Sequence, residues 1–180
     1  QHVIGGWDGA TGAYLEGWPR QVEDFQFLVA PAVADVSGDG IVDFAVAARF
    51  SDDGGGLNSG TSYVFFGPLT ADTTSSAADV LINGGAGEAA GHALSGANSV
   101  LGIGADANGD GNNDFLVSAI WADSKKGAVY LAHGPFSADV DLTTSSAARL
   151  VGEVANDQLG KGAVAFVSDV NGDGNDDIFI

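Results

Sequence analysis

One nine-residue pattern, D-x-[NS]-G-D-G-x-x-D, occurs three times and constrains this chain more than any other feature. The copies are Asp35-Val-Ser-Gly-Asp-Gly-Ile-Val-Asp43, Asp106-Ala-Asn-Gly-Asp-Gly-Asn-Asn-Asp114 and Asp169-Val-Asn-Gly-Asp-Gly-Asn-Asp-Asp177. Each runs straight into an apolar segment. Oxygen-bearing side chains at relative positions 1, 3, 5 and 9 suit a hard cation such as calcium, which takes about six to eight oxygens in a flexible shell. Glycine at position 6 lets the backbone turn sharply so that the next carbonyl points inward. Without a cation, carboxylates about 5 Å apart would repel by roughly 3 kcal/mol per pair at an effective dielectric near 20, enough to open such a loop.

Around these loops the order of segments repeats. Phe25–Ala34, Val100–Ala105 and Ala163–Ser168 read as strands entering the loops; Phe44–Ala48, Phe115–Ile120 and Ile178–Ile180 read as strands leaving them. Pro31 marks the first as an edge strand or a bulge. Gly60-Thr-Ser-Tyr-Val-Phe-Phe-Gly-Pro68 and Gly127-Ala-Val-Tyr-Leu-Ala-His-Gly-Pro135 match at their Gly, Tyr and Gly-Pro positions, and Thr-Thr-Ser-Ser-Ala-Ala recurs at 73–78 and 143–148. Asp79–Ile82 and Arg149–Val151 close the two units. The loops start at 35, 106 and 169, so the repeat is 71 and then 63 residues long. About four short strands in a period of that size predict propeller-type blades, not a solenoid. Helical periodicity is not sustained anywhere; Gly87–Ser95 is expected to form at most one helical turn, because Gly91 and Gly96 oppose more.

Composition narrows the function classes. The net charge is −18, from 24 acids against 6 bases, and three divalent ions would bring it only to about −12. So acidic a surface argues against nucleic acid and anionic membrane as partners. Cysteine is absent, which removes disulfides and thiolate metal sites. Metal cross-links take the place of disulfides in some secreted proteins, and an extracellular or cell-surface location is expected. No apolar run approaches the ~18 residues of a membrane span. The chain begins at Gln1 and ends at Ile180 inside an expected strand, so both ends read as cuts.

A helix-loop-helix calcium site needs a bidentate acid at position 12. Here that position holds Val46, Val117 and Ile180, and the flanks are strand-like. The full succession, an apolar strand, D-x-[ND]-G-D-G-x-x-D, a second strand, then G-x-V-Y-x-x-x-G-P, resembles the FG-GAP repeat of integrin α-subunit β-propellers and their bacterial surface relatives. Its Gly-Ala-Pro element is replaced here by Ala47-Ala-Arg49 and Ser118-Ala-Ile120. The resemblance implies an all-β fold of four-stranded antiparallel blades, about three repeats with the last incomplete, the loop joining the first and second strands of each blade. The division is 1–24 as an N-terminal strand and hairpin, 25–87 and 88–155 as repeats, and 156–180 as a partial third.

Carried over onto this chain, the resemblance implies about three Ca2+ ions in a stabilising role. Their side-chain ligands would be Asp35, Ser37, Asp39 and Asp43; Asp106, Asn108, Asp110 and Asp114; and Asp169, Asn171, Asp173 and Asp177. The position-7 carbonyls of Ile41, Asn112 and Asn175 complete each set. Ser37 has the shortest reach, so the first site is expected to be the weakest. The implied function is an extracellular adhesion, structural or protein-binding module. Its partner would be a protein or surface glycan, or a second copy meeting open blade edges, since three repeats are too few to close a ring. The alternative is a propeller segment of a secreted enzyme such as a hydrolase.

Catalysis is not expected from the residues themselves. His2, His92 and His133 are the only imidazoles, and none has a nucleophile or acid at a recognisable spacing. His133 takes the place that Phe66 has in the first unit and reads as a strand-face residue; His92 reads as a surface residue in a glycine-rich connection. Tyr63, Phe65, Tyr130, Phe44, Phe115, Phe166 and Phe179 are expected between blades. Trp7, Trp18 and Trp121 lie near turns, Trp121 being the best candidate for an exposed contact. The Thr/Ser tracts are loop filler or acceptors of O-linked sugars.

Overall fold

The computed structural model describes residues 2–4, 11, 20–22, 31–95, 105–162 and 164–180. Strands β1 (His2–Ile4) and β2 (Arg20–Val22) form an antiparallel pair. The first large sheet is an antiparallel succession of β3 (Ala32–Ala34), β4 (Asp43–Ala48), β5 (Thr61–Phe65) and β6 (Val80–Asn83). Pro31 precedes β3, an edge strand, where a missing N–H breaks no ladder. The second sheet begins with β7 (Ala90–Ser95), β8 (Phe115–Ala119) and β9 (Ala128–Ala132). The chain then leaves it. Strand β10 (Val140–Asp141) pairs in parallel with β6, Val140 opposite Ile82, before β11 (Ala148–Val151) returns to β9. Finally β12 (Ala165–Val167) and β13 (Asp177–Phe179) form an antiparallel pair. The all-β class holds: the sheets are mainly antiparallel, and none closes on itself.

Strands β8 and β9 are apolar on both faces except at Ser118, because both faces are covered. Phe115, Val117, Ala119, Tyr130 and Ala132 share one core with Ala45, Val64, Val80 and Ile82 of the first sheet. Leu116, Val129 and Leu131 face the other way and pack with Val164 and Phe166. The second sheet is therefore sandwiched between the first sheet and the β12–β13 pair.

Several expectations are corrected. Gly87–Ser95 contains strand β7 and no helical turn, and it is β7 that neighbours β8. The register shifts between Ala90 and Leu94, and Ser118 Oγ accepts the Ala93 N–H at 2.8 Å in that gap. Gly91 sits at φ 88°, and a Cβ there would lie 2.6 Å from the Ala47 Cβ, so this glycine permits close approach to the first sheet. The expected strand Val100–Ala105 lies outside the described residues except for Ala105, which is buried. Residues 25–30, Trp7 and Trp18 also lie outside them, and His2 is described only in its backbone. His92 is not a surface residue: it is buried on β7. Phe179, expected between sheets, is 67% exposed on the outer side of the last pair.

The repeated sextet shows how local chemistry diverges. At 143–148 it opens in a helical turn, Leu142–Ser145, because Asp141 accepts the Thr143 N–H at 2.9 Å and its hydroxyl at 2.6 Å. The matching position before 73–78 is Ala71, which has no capping oxygen, and only a 3-10 turn, Ser75–Ala77, forms there.

Candidate metal centres

All three aspartate loops adopt one backbone path. The carboxylate at position 1 accepts the N–H groups of positions 4, 5 and 6: Asp35 from Gly38, Asp39 and Gly40 at 2.8, 3.1 and 2.8 Å. Asp106 and Asp169 do the same, at 2.6–3.0 Å. The position-5 carboxylate accepts the N–H of position 7, Asp39 from Ile41 at 2.7 Å, Asp110 from Asn112 at 2.8 Å and Asp173 from Asn175 at 2.9 Å. Glycine is required at position 4 as well as 6: Gly38, Gly109 and Gly172 have φ of 80°, 75° and 83°.

Position 9 is different in kind. Asp43 and Asp114 are buried at the start of the outgoing strands, at 1% and 0% exposure. One Asp43 oxygen accepts the N–H groups of Val36 and Ser37 at 2.9 and 2.8 Å; the other accepts that of Gly67 at 2.9 Å. Asp114 is held by Ala107 at 2.8 Å and by Gly134 at 3.1 Å. The repeated Gly-Pro thus ties each of the first two loops to the end of the third strand of its sheet, a role that its position in the sequence does not disclose. Asp177 repeats the near half, accepting from Val170 at 2.8 Å and Asn171 at 3.3 Å.

Electrostatics separate these carboxylates. Burial pushes the Asp114 carboxyl above its ordinary value, against the pull of the Ala107 and Gly134 N–H groups. The Asn112 N–H and the Asn108 amide hold Asp110 below the usual range. The Gly174 N–H, with those of Gly172 and Asp173, does the same for Asp169.

Among the described residues, no three His, Asp or Glu side chains converge as a ready metal cage. The carboxylates are satisfied by amides of their own loops, with Gly67 and Gly134 added at Asp43 and Asp114, and the third-position residue carries the test of fit. Ser37 Oγ is buried without a hydrogen-bond partner. Asn171 turns its Nδ2 toward the carboxylates, 3.0 Å from Asp173 Oδ2 and 3.2 Å from Asp177 Oδ1; Asn108 Nδ2 lies 2.9 Å from Asp110 Oδ2. An amide donor bridging two carboxylates does electrostatically what a cation does, and turning the amide over supplies an oxygen in its place. The donor set is all oxygen and fits a hard divalent ion.

The loops also touch one another. Asn113 Nδ2, at position 8 of the second loop, donates to the Asp35 carbonyl at 2.7 Å. Asp176, at position 8 of the third, accepts the Asp106 N–H at 2.9 Å, and its own N–H returns a bond to the Asp106 carbonyl at 2.9 Å. Position 8 was not among the expected functional residues. His133 departs from expectation too: it stands exposed on the second loop, Nδ1 3.1 Å from Asn108 Nδ2 and Nε2 4.0 Å from Asp114 Oδ2. Trp121 is half-buried against Phe50, the residue at the same place in the first unit, with centroids 5.3 Å apart.

The chain matches no family model, and no curated protein resembles it in sequence.

Proposed function

We propose that this chain is a calcium-stabilised module of propeller-type blades, akin to FG-GAP repeats, working outside the cell in adhesion, surface architecture or protein binding. The observation that carries this reading is the partnerless, buried Ser37 Oγ within a loop whose backbone path is repeated twice more. Three loops of one design, each placed between an incoming and an outgoing strand, favour ions that brace the sheets over ions that react. Each site occupied at a hundred times its dissociation constant stabilises the folded chain by about 2.7 kcal/mol.

The blade reading draws on two four-stranded antiparallel sets, β3-β4-β5-β6 and β7-β8-β9-β11, stacked face to face. Among the described residues β3 and β13 each have a single strand neighbour, and such edges suit pairing with a further strand, from a second copy or from a protein ligand. Among the described residues no helix is long and apolar enough to cross a membrane. Thermal unfolding in millimolar calcium against the same buffer with a chelator tests the proposal. A rise of several degrees in calcium is expected, and an unchanged midpoint removes its foundation.

A further inference from the structure

We propose that the three loops take up cations as a coupled series, with Asn113 and Asp176 as the couplers. The inference rests on the calcium reading above and goes beyond it. Each later loop presses its positions 7 and 8 against positions 1 and 4 of the loop before it. Asn113 holds the Asp35 carbonyl, and Asp176 holds both backbone groups of Asp106. A Cβ on Gly109 would lie 2.6 Å from Asn175 Oδ1, and one on Gly38 would lie 3.4 Å from Asn112 Oδ1.

These contacts join the parts that matter for binding. Asp35 and Asp106 supply the first carboxylate of their loops, while Asn112 and Asn175 hold the position-7 carbonyls expected to serve their own loops. Ordering the third loop fixes Asp176 and with it the main chain of Asp106; ordering the second fixes Asn113 and the main chain of Asp35. A cation that orders one loop therefore lowers the ordering cost at its neighbour, which is positive coupling without a new ligand. Charge acts in the other direction, since a bound cation weakens the field drawing in the next. Asp39, Asp110, Asp169 and Asp173 are exposed, and in physiological salt screening limits that opposition, leaving the hydrogen-bonded contacts to decide the sign.

Calcium titration of the full chain by calorimetry, repeated with terbium luminescence, tests the coupling. A Hill coefficient above one is expected for the wild type. Asn113→Ala is expected to weaken uptake at the first loop about fivefold although no proposed ligand is altered, and Asp176→Ala to do so at the second. Asp169→Asn, which disables the third loop, should weaken the second by a similar factor. A wild-type Hill coefficient of one overturns the coupling by itself, needing no variant to fold; so do unchanged affinities in folded Asn113→Ala. Failure of the wild-type chain to take up calcium overturns the calcium reading and the coupling together.

Discussion

Arg49 Nη1 lies 2.7 Å from His92 Nδ1, so the imidazole must meet a guanidinium with an unprotonated nitrogen. The pair joins the two large sheets: Arg49 follows β4, and His92 is buried on β7. Burial, and then the Arg49 charge, lower the His92 pKa; the Lys161 charge acts the same way, while a hydrogen bond to the Lys161 backbone partly opposes them.

Acid should therefore weaken this seam. His92 binds its proton less readily when folded than when unfolded, so below the ordinary histidine pKa of about 6.5 the unfolded chain takes up more protons. The neutral imidazole contributes fully above that pH, and its contribution is lost as pH falls toward the depressed folded value. Chemical denaturation between pH 7.5 and 5 should show a steeper loss of stability in the wild type than in His92→Gln. Parallel curves would remove the titrating group from this role.

The buried and exposed carboxylates of one motif should separate in mutation. Asp114→Ala leaves the Ala107 and Gly134 N–H groups without their acceptor, costing about 2–5 kcal/mol even with a chelator present. Asp39→Ala removes an acceptor from the exposed Ile41 N–H and should cost less than about 1 kcal/mol in chelator. Its deficit should appear only on adding calcium. Urea denaturation of both variants with and without calcium makes the comparison, and equal losses in chelator would contradict the division of roles.

The glycines that begin the matched Tyr-containing strands mark where the chain of the following unit crosses. Gly60 has φ 78°, and a Cβ there would stand 2.1 Å from the Ala90 carbonyl oxygen; Gly127 has φ 78° and would meet the Leu159 nitrogen at 2.3 Å. Both atoms are backbone and cannot swing aside. Gly60→Ala and Gly127→Ala should each destabilise by about 2 kcal/mol or more, from backbone strain plus the clash. Gly87→Ala, where φ is 76° and no atom lies within 4 Å, isolates the strain alone and should cost less in the same denaturation assay.

Features written in nearby residues were legible from the sequence, and those that depend on distant partners were not. The loop path follows from D-x-[NS]-G-D-G because one carboxylate closes on amides three to five residues later. Strands β4, β5, β8 and β9 follow from apolar runs between turn residues. Strand β7 is hidden in the sequence because Gly91 and the glycines flanking the strand, read alone, suggest a connection; Gly91 is there for Ala47, forty-four positions earlier. Asn113 and Asp176 looked like unremarkable eighth residues, since their partners belong to the preceding loop. The excursion of β10 to β6 rests on two residue pairs, Val140 with Ile82 and Asp141 with Asn83, too short for any pattern to register.

Tyr130 offers a test from the alkaline side. Its hydroxyl donates to Glu88 Oε2 at 2.9 Å and accepts from Arg149 Nε at 2.9 Å, while Arg149 Nη1 reaches Asp123 at 3.0 Å. The side chain is buried, and burial is the main reason its pKa is pushed up to about 12; the Glu88 carboxylate adds to the rise, and Arg149 pulls against it. The raised value means the protonated phenol stabilises the fold. That contribution is complete below the unfolded tyrosine pKa of about 10 and is lost as pH rises through the folded one. Ultraviolet titration should accordingly show one phenolate absent at pH 10.5 and appearing only near 12 or with unfolding. Tyr130→Phe should remove that late step and flatten the alkaline loss of stability. If the step persists in the variant, it belongs to another tyrosine, and the Glu88–Tyr130–Arg149 network does not hold this proton.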